Sequence, residues 1–265
     1  MDLGLNGKIA VITGGDSGIG KATAKLLARE GAKVAIIDRT LETLQQAVEE
    51  IKKHGEAFAV HADLTKLEEV ENAQRQILNR FGTVHILVHA AGITGATGDF
   101  LELSDEQWYK TIDVDLMAAV RTCRAFIPAM RSAGWGRVIL ISSEDAIQPY
   151  PEEMPYCACK AAVLNLAKAL SKAYTKDGIL VNTVSPAFIA TPMTDAMMEK
   201  QSSQMGVSFD EAIAKFLEEN RPHLELKRRG QPEEVADVIA FLCSERSSFV
   251  LGANWRVDGG SVASL

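Results

Sequence analysis

Seven short runs of β-branched and other apolar residues punctuate this chain: "KIAVIT" at 8–13, "KVAII" at 33–37, "AFAVH" at 57–61, "VHILVH" at 84–89, "RVILIS" at 137–142, "ILVNTVS" at 179–185 and "NWRV" at 254–257. They are continuous rather than alternating, which is how strands buried on both faces read. Helix-length amphipathic segments lie between them. After the second run, Leu41, Leu44, Val48 and Ile51 are spaced three, four and three apart, which predicts one apolar helix stripe, ended by Gly55. Repeated strand–helix–strand units require a parallel sheet with helices on both faces, and right-handed crossovers make it doubly wound. The expected class is therefore α/β, with a central sheet of about seven strands.

A chain of 265 residues with 47% hydrophobic and 24% charged residues can bury a full core. No linker-like tract or internal repeat divides it, so one domain over 1–265 is expected. The net charge of −7 argues against a nucleic-acid partner, which needs clustered Lys and Arg. The one basic cluster, Lys227, Arg228 and Arg229, reads as a solvated helix end or loop. "MDLGLNGK" has neither the charged lead nor the apolar core of a signal peptide, and no apolar run approaches a membrane span; a cytoplasmic protein without a membrane partner is expected. Cys123, Cys157, Cys159 and Cys243 match no zinc spacing and are expected to be packed, reduced thiols, with no metal.

Gly14, Gly15, Gly18 and Gly20 crowd the turn after the first strand, where a doubly wound sheet meets a dinucleotide pyrophosphate. Their spacing is not the G-x-G-x-x-G form, and glycine-rich turns also simply turn. Asp38 adds weight, since it ends the second strand about 20 residues later, where an acid can bind ribose hydroxyls. Asp38, with Asp16 in the turn, would face a 2′-phosphate with negative charge, so NAD is favoured over NADP despite Arg39.

Tyr156 and Lys160 share one face of an alanine-rich segment that begins at Pro155. A phenol is a poor acid–base group at neutral pH, and a nearby ammonium stabilises its phenolate. Ser142 and Ser143 end the fifth run, at the sheet edge where ligands bind.

"TGGDSGIG", the acid after the second strand, "ADLT", "HAAG", "ISS", "YCACK", "VNTVSPA" and "WRVDGG" together resemble the short-chain dehydrogenase/reductase family in its common single-domain, Rossmann-type form, from about Lys8 to Gly260. The resemblance implies reversible hydride transfer between a nicotinamide cofactor and an alcohol or ketone. It places Thr13, Gly14, Gly18, Ile19 and Gly20 around the pyrophosphate and Asp38 on the ribose, with Asp16, Ser17 and Arg39 as further cofactor-binding residues, Arg39 pointing to solvent or over the adenine. Ala62, Asp63 and Leu64 fall at the adenine, with His89, Ala90, Ala91 and Gly92 along the cofactor edge. Pro186, Ala187, Ile189 and Thr191 would border the nicotinamide. Ser143, thirteen before Tyr156, matches the catalytic serine that holds the substrate oxygen. Tyr156 would exchange the proton, and Lys160 would bind the nicotinamide ribose and lower the tyrosine pKa.

The chain departs from the family pattern at three places. His89 and Ala90 stand where two asparagines are usual; repacking is the expected reading, with His89 as an extra base the alternative. Asp115 stands where an asparagine usually holds a water on the proton path to the lysine. If ionised, it opposes phenolate formation; if protonated, it can donate as the amide does. Ala187 replaces a usual glycine, which matters only if that position needs positive φ. Glu144 and Asp145, after the serines, read as a solvated loop or as a negative rim to the substrate mouth.

Residues 192–228 match the family's variable substrate lid, where Met193 and Met197 are candidate substrate contacts. The segment 114–133 and the Tyr156 helix are surfaces through which relatives pair, so a homodimer or homotetramer is expected from the resemblance. The expected activity is an NAD-dependent secondary-alcohol dehydrogenase or carbonyl reductase. Its rivals are a 3-oxoacyl thioester reductase of the acyl-carrier-protein type and a catalytically impaired NAD(H)-binding sensor or subunit.

Overall fold

The computed structural model describes residues 2–264. Seven strands form one parallel sheet: β1 (Ile9–Thr13), β2 (Lys33–Asp38), β3 (Ala57–His61), β4 (Ile86–His89), β5 (Gly136–Ile141), β6 (Ile179–Pro186) and β7 (Asn254–Val257). All seven fall on the runs read from the sequence. Their spatial order is β3-β2-β1-β4-β5-β6-β7, every neighbouring pair parallel. The direction of winding reverses between β1 and β4, and that reversal opens a crevice beyond their carboxyl ends.

Alternation of side chains along each strand divides the core into two layers. Ala10, Ile12, Ile36, Val88 and Ile139 face α1 (Gly18–Arg29), α2 (Leu41–Lys52) and the last helix of the chain, Pro232–Cys243. Val11, Ile37, Leu87 and Leu140 face α3 (Leu67–Phe81) together with the two long helices that carry Phe126 and Val163. At 25 cal/mol per Å², each such fully buried Val, Leu or Ile side chain contributes roughly 1.5–3 kcal/mol relative to exposure. β7 departs from the pattern, because as an edge strand it leaves alternate side chains open and half-buries Trp255 against Phe241, ring centroids 5.5 Å apart.

The predicted stripe of α2 holds at Leu44, Val48 and Ile51, but Leu41 is 53% exposed. Leu41 is the first helical residue, one turn short of the sheet, and Ala47 completes the buried face. The helix stops at Lys52; Gly55 serves instead to let the chain pass under Ala28, whose carbonyl oxygen would lie 2.8 Å from an added Cβ.

After β4 the chain runs through α4 (Asp105–Ile112), a π-helical turn (Asp113–Met117) and α5 (Ala118–Ala133). α4 starts from a capping box in which Ser104 and Gln107 satisfy each other's backbone N–H groups. α6 (Met154–Tyr174) follows β5 and carries Tyr156 and Lys160 one turn apart. Beyond β6 lie α7 (Pro192–Met205), α8 (Phe209–Asn220) and α9 (Pro232–Cys243). Residues Phe188, Met198, Phe216, Leu217 and Leu224 give the α7–α8 segment a small core of its own. It leaves and rejoins the sheet edge through one parallel bridge, Ile189 to Gly230. Among the described residues, no helix is long and apolar enough to cross a membrane.

Candidate active site

The carboxyl ends of β1, β2, β4, β5 and β6 converge on one cleft of about 380 Å³. Its walls include Asp16 and Asp38 at one end, Ser143, Tyr156 and Lys160 at the other, and Gly14, Ser17, Gly18, Ile19 and Gly20 between. Arg39, Ala62, Asp63, Leu64, Ala90, Ala91, Gly92, Pro186, Ala187, Ile189, Thr191 and Met193 also line it. The segments predicted to meet a dinucleotide, from Gly14 to Thr191 in the chain, thus share one surface.

Three features fit a dinucleotide here. The N-terminus of α1 opens onto the cleft with Ser17 at the cap position and no side-chain cap on its N–H groups, which leaves donors for an anion. The turn is as tight as backbone permits, because a Cβ on Gly20 would sit 2.0 Å from the Gly14 carbonyl oxygen. At the Asp16–Asp38 end, Asp38 accepts the Arg39 N–H at 2.7 Å, while Asp16 accepts the hydroxyls of Ser17 at 3.0 Å and Thr43 at 2.7 Å. Burial and then the Asp16 carboxylate push the Asp38 carboxyl up to about 6.

At the other end, α6 and the loop after β5 bring hydroxyl, phenol and ammonium together. The Lys160 ammonium lies 5.3 Å from the Tyr156 ring centroid and donates to the Ile141 carbonyl at 3.3 Å. The two serines divide their work: Ser142 donates to the Lys160 carbonyl at 2.9 Å and ties β5 to α6, whereas Ser143 is directed to the loop and the cleft. Burial, then Asp145 and Asp115, hold the Tyr156 phenol well above its ordinary range, and the Ser143 hydroxyl works in the opposite direction. Protein groups alone therefore keep this phenol protonated.

Asp115 sits in the π-helical turn, a type of irregularity frequent at functional sites. Its Oδ1 accepts the Ile93 N–H at 2.9 Å and lies 3.9 Å from Lys160 Nζ; its Oδ2 is buried without a protein partner. Burial pushes the Asp115 carboxyl up while Lys160 pulls it down. Asp113, two residues earlier, turns away to Arg121 at 2.6 Å.

Several expected site residues do not reach the cleft. Thr13 and His89 lie under its floor: His89 Nδ1 is 3.0 Å from Thr13 Oγ1 and 3.1 Å from Thr122 Oγ1, and Thr13 Oγ1 accepts the Ala91 N–H at 3.2 Å. Burial, then Lys160, push His89 down to about 3, so it is neutral and no base. Glu144 and Asp145 form neither a solvated loop nor an open rim, since both are buried and Arg221 reaches Glu144 at 3.4 Å. Met197 packs against the α7–α8 core rather than the cleft. In the basic cluster, Arg229 is buried against Asp195 at 2.6 Å, not solvated. Ala187 is free of strain, because Lys227 is the sole non-glycine residue with positive φ among those described. The four cysteines are free and buried, and burial raises their thiols to about 11 or 12, which suits packing rather than reaction.

Comparison with known proteins agrees with this geometry. The model of a family described as enoyl-(acyl carrier protein) reductase matches residues 14–262. Cyclohexanol dehydrogenase of Acinetobacter sp. (strain SE19) is 37% identical over 256 residues, covering 96% of this chain and 94% of its own. A 3-oxoacyl-(acyl-carrier-protein) reductase of Thermotoga maritima is 34% identical, covering 97% and 99%. The crystal structure of L-sorbose reductase from Gluconobacter frateurii, complexed with NADPH and L-sorbose, superposes with a TM-score of 0.95 at 34% identity over 100% of both chains.

This chain belongs to the short-chain dehydrogenase/reductase family. As a short-chain dehydrogenase/reductase it is an oxidoreductase that transfers hydride between NAD(P)(H) and a small-molecule alcohol or ketone. Two parts of the site had no sequence signal. The π-helical turn that aims Asp115 has no marker in "TIDVDLM", and Arg221 lies 77 positions from its partner Glu144.

Proposed function

We propose that this enzyme is an NAD-preferring dehydrogenase or carbonyl reductase for a small or medium secondary alcohol or ketone. The observation that carries the reading is the two-ended cleft: a pair of carboxylates at the ribose end, and Ser143, Tyr156 and Lys160 at the other. The L-sorbose reductase structure holds NADPH, so cofactor choice is read from this chain's own residues. Asp16 and Asp38 together oppose a 2′-phosphate and, ionised, can accept from ribose hydroxyls.

The uncapped N-terminus of α1 and Gly14, Gly18 and Gly20 would hold the pyrophosphate, with Asp63 and its neighbours Ala62 and Leu64 at the adenine. Pro186, Ala187, Ile189 and Thr191 would border the nicotinamide. The bound nicotinamide supplies the hydride acceptor or donor. In the oxidative direction Ser143 holds the substrate hydroxyl and the Tyr156 phenolate takes its proton; in reduction Tyr156 returns that proton to the carbonyl oxygen. Lys160 offsets the phenolate charge, which burial otherwise disfavours. The proton passes from Tyr156 toward Lys160 and Asp115, whose unpartnered Oδ2 is placed to hold a water.

The α7–α8 segment, 192–228, would act as the substrate lid within one functional unit of 1–265, with Met193 facing the cleft as its apolar contact. We place the enzyme in the cytoplasm as a homodimer or homotetramer, on the support of free thiols and of the family's habit of pairing. A second reading, a 3-oxoacyl thioester reductase, is favoured by the similarity to the Thermotoga enzyme. The net charge of −7 and the Asp16–Asp38 pair weigh against an acidic carrier and NADPH.

The test is nicotinamide absorbance over a panel of cyclic and aliphatic alcohols, polyols, their ketones and β-ketoacyl thioesters, with NAD(H) and NADP(H), beside Tyr156→Phe. NAD-dependent turnover of an alcohol or ketone, abolished in Tyr156→Phe, supports the reading. A preference for thioesters with NADPH would replace it with the second, and tight NADH binding without turnover would make the protein a sensor.

A further inference from the structure

One contact joins the α7–α8 segment to the stretch of chain that carries both hydroxyl groups of the site. Arg221, which closes α8, is almost wholly buried between two rings: its guanidinium carbon stands 3.5 Å from the centre of the Tyr150 ring and 5.1 Å from that of Phe216. Phe216 belongs to the small core of α7–α8, whereas Tyr150 belongs to the loop between β5 and α6. Arg221 Nε is 3.4 Å from Glu144 Oε1, Nη2 donates to Glu153 Oε2 at 3.4 Å, and Nη1 donates to the Asn220 carbonyl at 3.1 Å. The two acids mark the two ends of the loop. Glu144 follows Ser143 directly, and Glu153 is the last residue before α6, three positions ahead of Tyr156. One cation from the end of α8 thus holds the segment of the serine and the segment of the tyrosine at once.

We propose that Arg221 is a positioning residue that sets Ser143 against Tyr156, and that it does so only while the α7–α8 segment is seated. The inference rests on the reading of Ser143 and Tyr156 as the groups that meet the substrate oxygen, and of residues 192–228 as the lid. The physical reason is charge burial. The Glu144 side chain is 2% exposed, and its Oε2 has no protein partner. With Arg221 withdrawn, a Glu144 carboxylate is an uncompensated charge out of water, and it has to take up a proton or swing out to solvent. Glu153, with 16% of its side chain exposed, reaches water more easily.

Glu144 cannot swing out alone, because the turn it belongs to is short and closed on itself. The Ala146 N–H donates to the Ser143 carbonyl at 3.2 Å, and the Ile147 and Gln148 N–H groups both donate to the Glu144 carbonyl at 2.9 Å. Ser143 Oγ is part of the same turn, accepting the Asp145 N–H at 3.3 Å and donating to Asp145 Oδ1 at 3.1 Å. An outward Glu144 therefore carries the serine with it, while the start of α6 loses its hold beside Tyr156. A substrate that seats the lid assembles the pair of hydroxyls that acts on it, and selection between substrates then registers in kcat as well as in KM.

The experiment compares the wild type with Arg221→Met, which keeps the apolar stem against Phe216 and removes the charge, with Arg221→Lys, and with the double variant Arg221→Met/Glu144→Gln. kcat and KM are measured with the alcohol and ketone identified by the substrate panel, and NADH affinity by fluorescence. Arg221→Met is expected to lose about 10- to 100-fold in kcat while KM and NADH affinity stay within about threefold. The double variant no longer buries an unpaired charge and is expected to recover at least about fivefold of that loss. An ammonium can reach one of the two acids but not both, so Arg221→Lys is expected to lose about three- to tenfold in kcat, which keeps the test open should Arg221→Met fail to fold. A raised KM with kcat kept, a matching loss of NADH affinity, a double variant no better than Arg221→Met, or an Arg221→Lys with full kcat overturns the proposal.

Hydrogen exchange followed by mass spectrometry needs no turnover. In Arg221→Met, or in Arg221→Lys to a lesser degree, peptides covering 143–153 and 209–224 are expected to exchange about tenfold faster together, with β1 and β4 unchanged. Faster exchange confined to 209–224, or none at all, overturns the link between lid and loop. Turnover surviving in Tyr156→Phe would instead sink the underlying reading of the site, whatever the exchange of the two segments shows.

Discussion

Asp115 Oδ1 and Lys160 Nζ lie 3.9 Å apart with both side chains almost wholly buried, so the carboxyl group faces the same ammonium that lies beside the Tyr156 ring. An amide at this position would leave the ammonium charge unopposed. The carboxylate instead divides it, and Asp115 is among the groups that raise the Tyr156 phenol.

Asp115→Asn should therefore move the acid limb of the oxidation rate to lower pH by about one unit, because the phenolate forms more readily without that charge. A pH–rate profile of kcat for alcohol oxidation measures this. An unmoved limb would mean that Asp115 is protonated throughout and behaves as the amide.

Burial and the neighbouring Asp16 carboxylate push the Asp38 carboxyl up to about 6. Above that value it is ionised and opposes a 2′-phosphate; below it the carboxyl is neutral, and the repulsion fades while the bond it accepts from ribose weakens. The preference for NADH over NADPH, taken from fluorescence titrations, should thus fall by about tenfold between pH 7.5 and 5.5. A ratio constant with pH would remove Asp38 as the discriminator. The same displacement bears on stability. The native state holds this proton more tightly than the unfolded chain, so the contribution of Asp38 is most favourable below its unfolded value of 3.8 and declines as pH rises to about 6. Asp38→Asn should raise the melting temperature at pH 7.5 and leave it nearly unchanged near pH 3.5.

Gly92 lies against the same lysine and aspartate. An added Cβ would fall 2.7 Å from Asp115 Oδ1 and 3.4 Å from Lys160 Nζ. Gly92→Ala should cost about 1–3 kcal/mol in urea unfolding and lower kcat, since Asp115 has to shift to admit the methyl group. Unfolding unchanged from the wild type would show that the turn yields freely.

His89→Asn tests the buried imidazole. Because His89 is neutral and faces Thr13 and Thr122 below the floor, the variant should keep the pH–rate profile and NADH affinity while its melting temperature changes. Loss of turnover with cofactor binding intact would restore His89 as a base.

The strands were legible because burial on both faces forces uninterrupted apolar runs such as "RVILIS", which few other structures need. The Tyr156–Lys160 spacing and the glycine turn were legible for a similar reason, since one helix turn and one tight backbone approach fix both. Side-chain direction at strand ends was not. Thr13 and His89 sit in register on β1 and β4, and the pleat turns both inward to each other, a pairing visible only once the strands are neighbours. Glu144 looked solvent-facing because its partner, Arg221, arrives from beyond α8 with no local mark in the sequence. The extra residue of the π-helical turn likewise leaves no trace in composition or period.

The Ile189–Gly230 bridge has a consequence for how such chains diversify. A segment that departs and returns at adjacent points can change length or wording without shifting the register of any ladder in the sheet. Residues 192–228 thus form an exchangeable cassette, and, on the proposed reading of this segment as the substrate lid, a chimaera carrying a relative's cassette between Ile189 and Gly230 is expected to take that relative's substrate preference while the sheet stays unaltered.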